Sequence, residues 1–534
     1  MRPLQHAKSG RTSPTRSSWC LWALLLLFLS FPLVAQDGVG PSPTPPPPID
    51  TFGPGPYGVG RWDWNFGQVQ VTTPGSSGSS TITVDHFGTF RYPALADGTL
   101  APIAPGWPFP FVVFAHGRYH VNPYIGHNHE GADYLIDHLA SHGFIVASVN
   151  LDVVGQYGSP AAIPQRAELI HHTIDAFEAL DPTGILMDWN KIGIVGHSRG
   201  GEGSVKAAQT NPQGHAIGAV ATISPTDFGK TQLEDVPYLS ILGSKDGDVS
   251  NGWPIMVFDR SEGNERVFEY VEGANHFWFT DDIHFSFEGN ADITRNQHHD
   301  VARTYITAFL KSQIGQAAPQ SFAELSDGPS LFPVTDPLDI HPVYHHPEAF
   351  IVNDFEDTPH DPSANSLGGV SAGDHLLVMD EENLKNTGKT FYHESWGGWI
   401  EYDMSNLLLT YSVEEIPVPA DVRSFDVLSV GALQRYNAPL NTANSPQDFQ
   451  IVLADHQMRL AAVRLSQFGT IPWPRTHTGF QYPNKSVLRT TRIPLFFFAA
   501  QNPNLDLSAI KFIGFVYDQT DSADLRIDNI SFSD

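Results

Sequence analysis

The chain has 534 residues, and Asp and Glu outnumber Lys and Arg by 58 to 30, giving a formal charge of −28 at pH 7. So acidic a surface repels nucleic acid and anionic lipid, and the length exceeds what one hydrophobic core supports, so two or more domains are expected. Cys20 is the only cysteine; it precedes an apolar run, so beyond that run neither a thiol nor a disulfide is available for chemistry or stability.

From the N-terminus, Arg2, Lys8, Arg11 and Arg16 precede an apolar stretch from Leu21 to Val34, with Ala35 as cleavage point. This pattern reads as a signal peptide over residues 1–35, too short to span a bilayer comfortably. A secreted or periplasmic protein with no stable membrane insertion is expected. Residues 36–52 form a linker stiffened by the run Pro41 to Pro48, an extended spacer. Phe111 to Ala115 is an apolar run ending in His116-Gly117-Arg118-Tyr119. A strand-end loop of this kind offers a backbone N–H to a developing oxyanion, here from Arg118 or, failing that, Tyr119. His116, His120, His127 and His129 crowd the segment around and after this loop. Zinc ligation by His127 and His129 is one use for them, but no cysteine accompanies them and the spacing fits no metal motif. They are therefore read as lining the mouth of a site, with no catalytic metal or cofactor.

Gly196-His197-Ser198-Arg199-Gly200 follows the strand-like run Lys191 to Val195 and precedes a helical pattern from Gly200 to Ala208. A serine on such a turn is a nucleophile elbow, and the flanking glycines suit a backbone that bends sharply against its neighbours. A bare Gly-x-Ser-x-Gly also fits a turn whose serine only caps a helix. A serine hydroxyl needs a base and an acid to orient that base, expected in the order Ser, Asp, His. Val236 to Leu242 reads as a buried strand running into Gly243-Ser244-Lys245-Asp246-Gly247-Asp248, and Arg266 to Val271 as the next strand, followed by Glu272-Gly273-Ala274-Asn275-His276. Asp246 is preferred to Asp248 because it lies nearer the strand end, and His276 is singled out among 24 histidines by its place after the next strand. The candidate triad is thus Ser198, Asp246 and His276, with Arg199 and Arg118 supplying the oxyanion hole.

An amphipathic run from Val301 to Ile314, with Ala302, Tyr305, Ile306, Phe309 and Leu310 on one face, closes the catalytic domain, drawn over residues 53–315. A Pro-rich linker spans 316–348, and a second domain spans 349–534. Its strand-like runs are Phe350 to Val352, Ser424 to Val430, Phe449 to Leu453, Thr491 to Phe498, Ile510 to Val516 and Leu525 to Phe532. Short strands at this spacing predict an all-β sandwich. Asp354, Glu356 and Asp528 offer oxygens to a structural Ca²⁺, although a solvated acidic rim is the simpler reading.

Gly53 to about Gly315 resembles the α/β-hydrolases of the polyester hydrolase (cutinase-like, PET-hydrolase) and dienelactone-hydrolase-like group. The resemblance is carried by the Gly/Pro-rich opening Gly53 to Gly60, Phe90-Arg91-Tyr92-Pro93, the junction Leu139 to Val146, the elbow Ile192 to Gly201 and Ala274-Asn275-His276-Phe277. Ser-Arg-Gly-Gly at the elbow also resembles chlorophyllases, and its Ser-Arg pair is similar to glucuronoyl esterases. The chain departs from the polyester group at Arg118, where that group often has an aromatic residue, and near Ser224 to Asp227, where an aromatic clamp is expected. Asp518 to Asp521 and Leu525 to Phe532 resemble the last strands of jelly-roll carbohydrate-binding modules.

Together these features imply an α/β fold, an α/β-hydrolase with a mostly parallel sheet flanked by helices, followed by a jelly-roll-like sandwich. The expected function is hydrolysis of carboxylic esters, polymeric substrates included, through an acyl-enzyme. The alternatives are a carbohydrate esterase steered to polysaccharide by its second domain, and a binding protein on a hydrolase scaffold. For the first alternative, removing residues 341–534 is expected to cost activity on an insoluble glycan ester and spare a small soluble one.

Overall fold

The computed structural model describes residues 51–73, 79–118, 127–152, 154, 162–250, 252–281, 291–315, 338–386, 393–404, 409–474 and 486–534. The expected signal peptide, Cys20, most of the Pro-rich spacer, Tyr119, His120 and residues 316–337 lie outside them.

The first part of the chain builds one mixed sheet. Its strands are β1 (Gly58–Thr73), β2 (Ser80–Ala94), β3 (Gly98–Thr99), β4 (Phe109–Ala115), β5 (Ile145–Val149), β6 (Met187–His197), β7 (Ile217–Ile223), β8 (Tyr238–Gly243), β9 (Arg266–Val271) and β10 (Ile340–His345). They lie side by side in the order β10-β9-β8-β7-β6-β4-β5-β2-β1-β3. The strands from β5 through β4 to β9 are parallel, and β2 and β10 join that parallel block antiparallel. The parallel strands are apolar on both faces because both are covered. Along β4, Phe111, Val113 and Ala115 pack to one side and Val112 and Phe114 to the other. The first side is closed by α2 (Ala162–Leu180), α3 (Arg199–Thr210) and α4 (Trp253–Arg260), the second by α1 (Asp133–Ser141) and α5 (Arg295–Ile314).

Strand order reverses at β4: the chain passes from β4 out to β5, then returns to lay β6 on the other side of β4. The carboxyl ends of β4 and β6 therefore flank a switch point, where open α/β sheets form their binding crevice. The elbow follows β6 and the His116-Gly117-Arg118 loop follows β4. Strand β10 comes from the stretch read as linker, and it pairs along all of β9, from Ile340 opposite Val271 to His345 opposite Arg266.

The second part folds as two antiparallel sheets over one apolar core. Its strands are β11 (Phe350–Asn353), β12 (Ser371–Asp374), β13 (Val378–Asn383), β14 (Trp396–Asp403), β15 (Tyr411–Ala420), β16 (Val427–Gln434), β17 (Gln450–Asp455), β18 (Leu460–Arg464), β19 (Arg489–Pro494), β20 (Ile510–Val516) and β21 (Ser522–Ser533). One sheet runs β13-β14-β21-β16-β19 with β11 on β21, the other β12-β15-β20-β17-β18. The run Thr491 to Phe498 is strand only as far as Pro494; Leu495–Gln501 is helix α6. The apolar run Leu495 to Ala500 has no period that separates strand from helix, and Pro494 at the junction starts the turn. No helix among the described residues is long and apolar enough to cross a membrane.

Candidate active site

Ser198 sits between β6 and α3 with φ +55° and ψ −126°, a backbone conformation that L-residues adopt only under constraint. The constraint is visible on each side. Ser198 N–H donates to the Ile223 carbonyl at 2.9 Å, and its own carbonyl accepts from Glu202 and Thr226 N–H. A Cβ at position 200 would lie 2.0 Å from the Ala115 carbonyl oxygen, and one at 196 would lie 2.4 Å from Ser204 Oγ. Glycine at 200 thus lets α3 approach the end of β4 and the His116 carbonyl that follows it.

Asp246 and His276 are held by loops bonded to one another. Lys245 N–H donates to the Ala274 carbonyl at 2.8 Å, Gly273 N–H to Ser244 Oγ at 2.8 Å, and Ser244 N–H to the Val271 carbonyl at 2.9 Å. Across this join Asp246 Oδ2 accepts from His276 Nδ1 at 2.8 Å, with both side chains fully buried. Asp246 Oδ1 takes the N–H groups of Asp248 and Val249 at 3.1 and 2.7 Å. Burial pushes the Asp246 carboxyl up, but His276 and these hydrogen bonds overcome it and hold the group down at about 2. An ionised acid on Nδ1 leaves the lone pair of a neutral imidazole on Nε2. Asp248 is the less buried of the two acids, and its Oδ2 lies 3.6 Å from Nε2, on the opposite edge of the ring. Ser198 Oγ makes no hydrogen bond among the described residues, and in unliganded hydrolases the serine–histidine contact is often long.

Three supporting residues were not singled out from the sequence. His197 lies 4.6 Å from the His276 ring and hydrogen-bonds the His276 backbone, and burial keeps it neutral. His298 of α5 accepts the Asn275 N–H on Nε2 at 2.9 Å and donates from Nδ1 to the Thr294 carbonyl at 2.7 Å, tying the His276 loop to the helix. Glu202 accepts from Thr226 Oγ1 and Gly229 N–H, both at 2.6 Å, and so fixes the loop after β7 under the elbow. That loop carries Phe228, which meets Trp253 edge-on at 4.7 Å and lies 5.7 Å from the Arg199 guanidinium. Aromatic surface thus occurs just past the segment where a clamp residue is absent from the sequence pattern. Only tertiary contacts mark these residues out.

His116 is not at the surface: buried, it accepts the Leu151 N–H on Nε2 at 2.8 Å and faces the Gly117 carbonyl with Nδ1, and burial lowers it to about 3. His127, His129 and Glu130 place ligand atoms within 4.8 Å of one another. Asn150 Oδ1, however, accepts from Asp152 N–H, so its Nδ2 donates to His129 Nδ1 at 3.0 Å. A neutral His129 then carries its proton on Nε2, where a metal would need a lone pair. In the second domain, burial pushes Asp528 well up, and Glu356, Asp259 and Asp354 push it further. Asp528 Oδ2 is buried without a hydrogen-bond partner among the described residues, but Asp354, Glu356 and Asp528 do not bring three ligand atoms within 4.8 Å of one another, so the cluster does not form the close oxygen cage a Ca²⁺ ion needs.

A buried Asp-His pair beside a serine on a strand-to-helix turn, at the switch point of an α/β sheet, is the arrangement of a hydrolase. Residues 68–270 match the family model of chlorophyllase, a group of α/β-hydrolase-type esterases that the Ser-Arg-Gly-Gly elbow also resembles. Among curated proteins, Chlorophyllase-1 of Arabidopsis thaliana is 26% identical over 118 residues, which is 22% of this chain and 32% of that protein. The chain thus aligns with about a third of that relative's length. The similarity is to carboxylic ester hydrolases, and it lies within the first sheet.

Proposed function

We propose that the protein is a serine esterase of the α/β-hydrolase fold, working by two-step acyl transfer. The observation that carries this is Ser198 at φ +55° on the β6–α3 turn, beside the buried Asp246–His276 pair. His276 Nε2 takes the Ser198 proton as Oγ attacks the ester carbonyl, and Asp246 fixes the imidazole and stabilises its charged form. The backbone N–H groups of Arg199 and Arg118 stabilise the oxyanion. His276 then returns the proton to the leaving alcohol, and a water deprotonated by the same imidazole releases the acid. The strand order supports the fold assignment: β1-β2-β5-β4-β6-β7-β8-β9 is an open sheet with the elbow at its switch point.

Polymeric esters remain within the proposal, and so does a carbohydrate esterase assisted by its sandwich domain. Export is part of this reading, carried by the basic segment and apolar run within residues 1–35. The test is labelling with a fluorophosphonate and turnover of a graded ester panel. Wild type is expected to label at Ser198 and hydrolyse, and Ser198→Ala to do neither. Activity retained by the purified Ser198→Ala variant excludes the assignment.

A further inference from the structure

The acidic surface makes cations at the site conspicuous. Most described arginines answer a carboxylate: Arg91 bonds Asp133 and Asp137, Arg260 bonds Asp227 and Glu394, and Arg526 bonds Glu382 and Asp524. Arg118 and Arg199 do not. Both are half-buried, neither forms a hydrogen bond or ion pair among the described residues, and Arg199 Nη1 is buried without an acceptor. They sit together because the close approach at Gly200 brings the elbow against the end of β4. Burial, and then the charge of Arg118, lowers Arg199, while Asp248 and Glu202 oppose that fall without bonding it. Glu202 is already committed to Thr226 and Gly229. Phe228 lies against the Arg199 guanidinium and limits where it can swing.

Two guanidiniums half-withdrawn from water, near each other and without acceptors among the described residues, are costly to hold. A carboxylate that accepts from both offsets that cost, and the planar fork of arginine suits it. Resting on the esterase function proposed above, we propose that Arg118 and Arg199 form an anion subsite and that the preferred substrate is an ester bearing a free carboxylate near the scissile bond. The backbone N–H groups of the same residues face the oxyanion, so one pair of residues serves both the reaction and the choice of substrate. A half-ester of a dicarboxylic acid places the carboxylate on the acyl side; an ester of a hydroxy acid places it on the alcohol side.

Matched pairs test this: monoethyl succinate against ethyl butyrate for the acyl side, and butyryl glycolate against propyl butyrate for the alcohol side. One charged member is expected to exceed its neutral partner in kcat/KM by about tenfold or more, with the advantage shrinking in high salt. Arg118→Gln and Arg199→Gln are each expected to bring that ratio towards one, whatever they do to the overall rate. As a readout that needs no turnover, succinate should slow fluorophosphonate labelling of Ser198 in wild type and not in the variants. Equal rates within both pairs, or a preference that survives both substitutions, overturns the subsite and leaves the esterase standing. Absence of both labelling and turnover instead removes the esterase itself.

Discussion

At the scale of single residues, two aspartates two positions apart occupy opposite edges of one imidazole. Asp246 meets Nδ1 from full burial, while Asp248 faces Nε2 from a partly exposed position. Asp246→Asn should lower kcat by roughly 10³–10⁴-fold, since it disrupts the tautomer the base needs; Asp248→Asn should change it by less than about tenfold. Steady-state kinetics on one soluble ester separates the two, and similar losses would mean the acid is wrongly assigned. Buried neutral histidines set the acid stability. His116 is lowered to about 3 and His129, His171 and His298 to about 4, in each case mainly by burial, against an ordinary 6.5. The unfolded chain therefore binds protons that the folded chain refuses, and the histidines' contribution to stability should be full above pH 6.5 and fall as pH drops towards 4. Glu414 works in the other direction. It is held at about 7 by burial, against hydrogen bonds from Ser371, Asn365 and Asn353, and lines a small cleft with Phe355, Met379 and Ile527. Its folded state keeps a proton the unfolded state gives up, so stability is lost as pH rises from 4.5 to about 7. Glu414→Gln should therefore raise the melting temperature above pH 7, by roughly 1 to 3 kcal/mol of stability, and change little near pH 4. Melting curves across that range decide it, and a variant destabilised at pH 8 would refute the account.

At the scale of elements, the elbow depends on space rather than on its serine alone. Gly200→Ala inserts a methyl group 2.0 Å from a backbone oxygen of β4, so α3 or the β4 end must shift. The expected result is loss of activity with near-native circular dichroism, or loss of soluble protein; a fully active Gly200→Ala would show that the two backbones do not meet so closely. This element could be read in the sequence because each part is local: an apolar strand, two glycines and a helix-forming run. The strands β8 and β9, with Asp246 and His276 at their ends, were readable for the same reason. Strand β13, with the sequence Val-Met-Asp-Glu-Glu-Asn, was not, because an edge strand with partly exposed side chains carries no apolar signature. Strand β10 was hidden by the prolines around it, and Pro342 within it is tolerated on an edge. Glu202 and His298 look like ordinary helical polar residues until the loops they hold are brought to them. The sequence marks Arg118 for its backbone; that its guanidinium meets no carboxylate among the described residues depends on how the fold distributes its acids.

At the scale of the whole molecule, the sandwich is joined to the catalytic sheet by polar and acid–base side chains, one of which reaches the loop beside the elbow. Asp259 of α4 accepts from Glu394 N–H at 2.7 Å and lies 3.1 Å from His393 Nδ1, while Arg260 reaches both Glu394 and Asp227, in the loop that carries Phe228. Glu269 of β9, fully buried, is raised by burial and eased by the charge of Arg489 on β19. Tyr344 of β10 donates its N–H to Thr490 Oγ1 and lies under the Arg492 guanidinium at 4.6 Å. Removing residues 341–534 therefore takes an edge strand from the catalytic sheet as well as a domain, and activity on soluble and insoluble esters should fall together. A truncation that keeps full activity on a soluble ester would show that β10 is dispensable. The placement of β10 also bears on biosynthesis. The ribosome releases Ser198, Asp246 and His276 well before residues 340–345, so the growing chain holds the elements of the reaction while β9, which leads into the histidine loop, still lacks its outer neighbour. Until that late segment emerges, β9 is an open edge available to other chains, so synthesis that stalls within the intervening stretch should yield aggregate rather than a smaller enzyme.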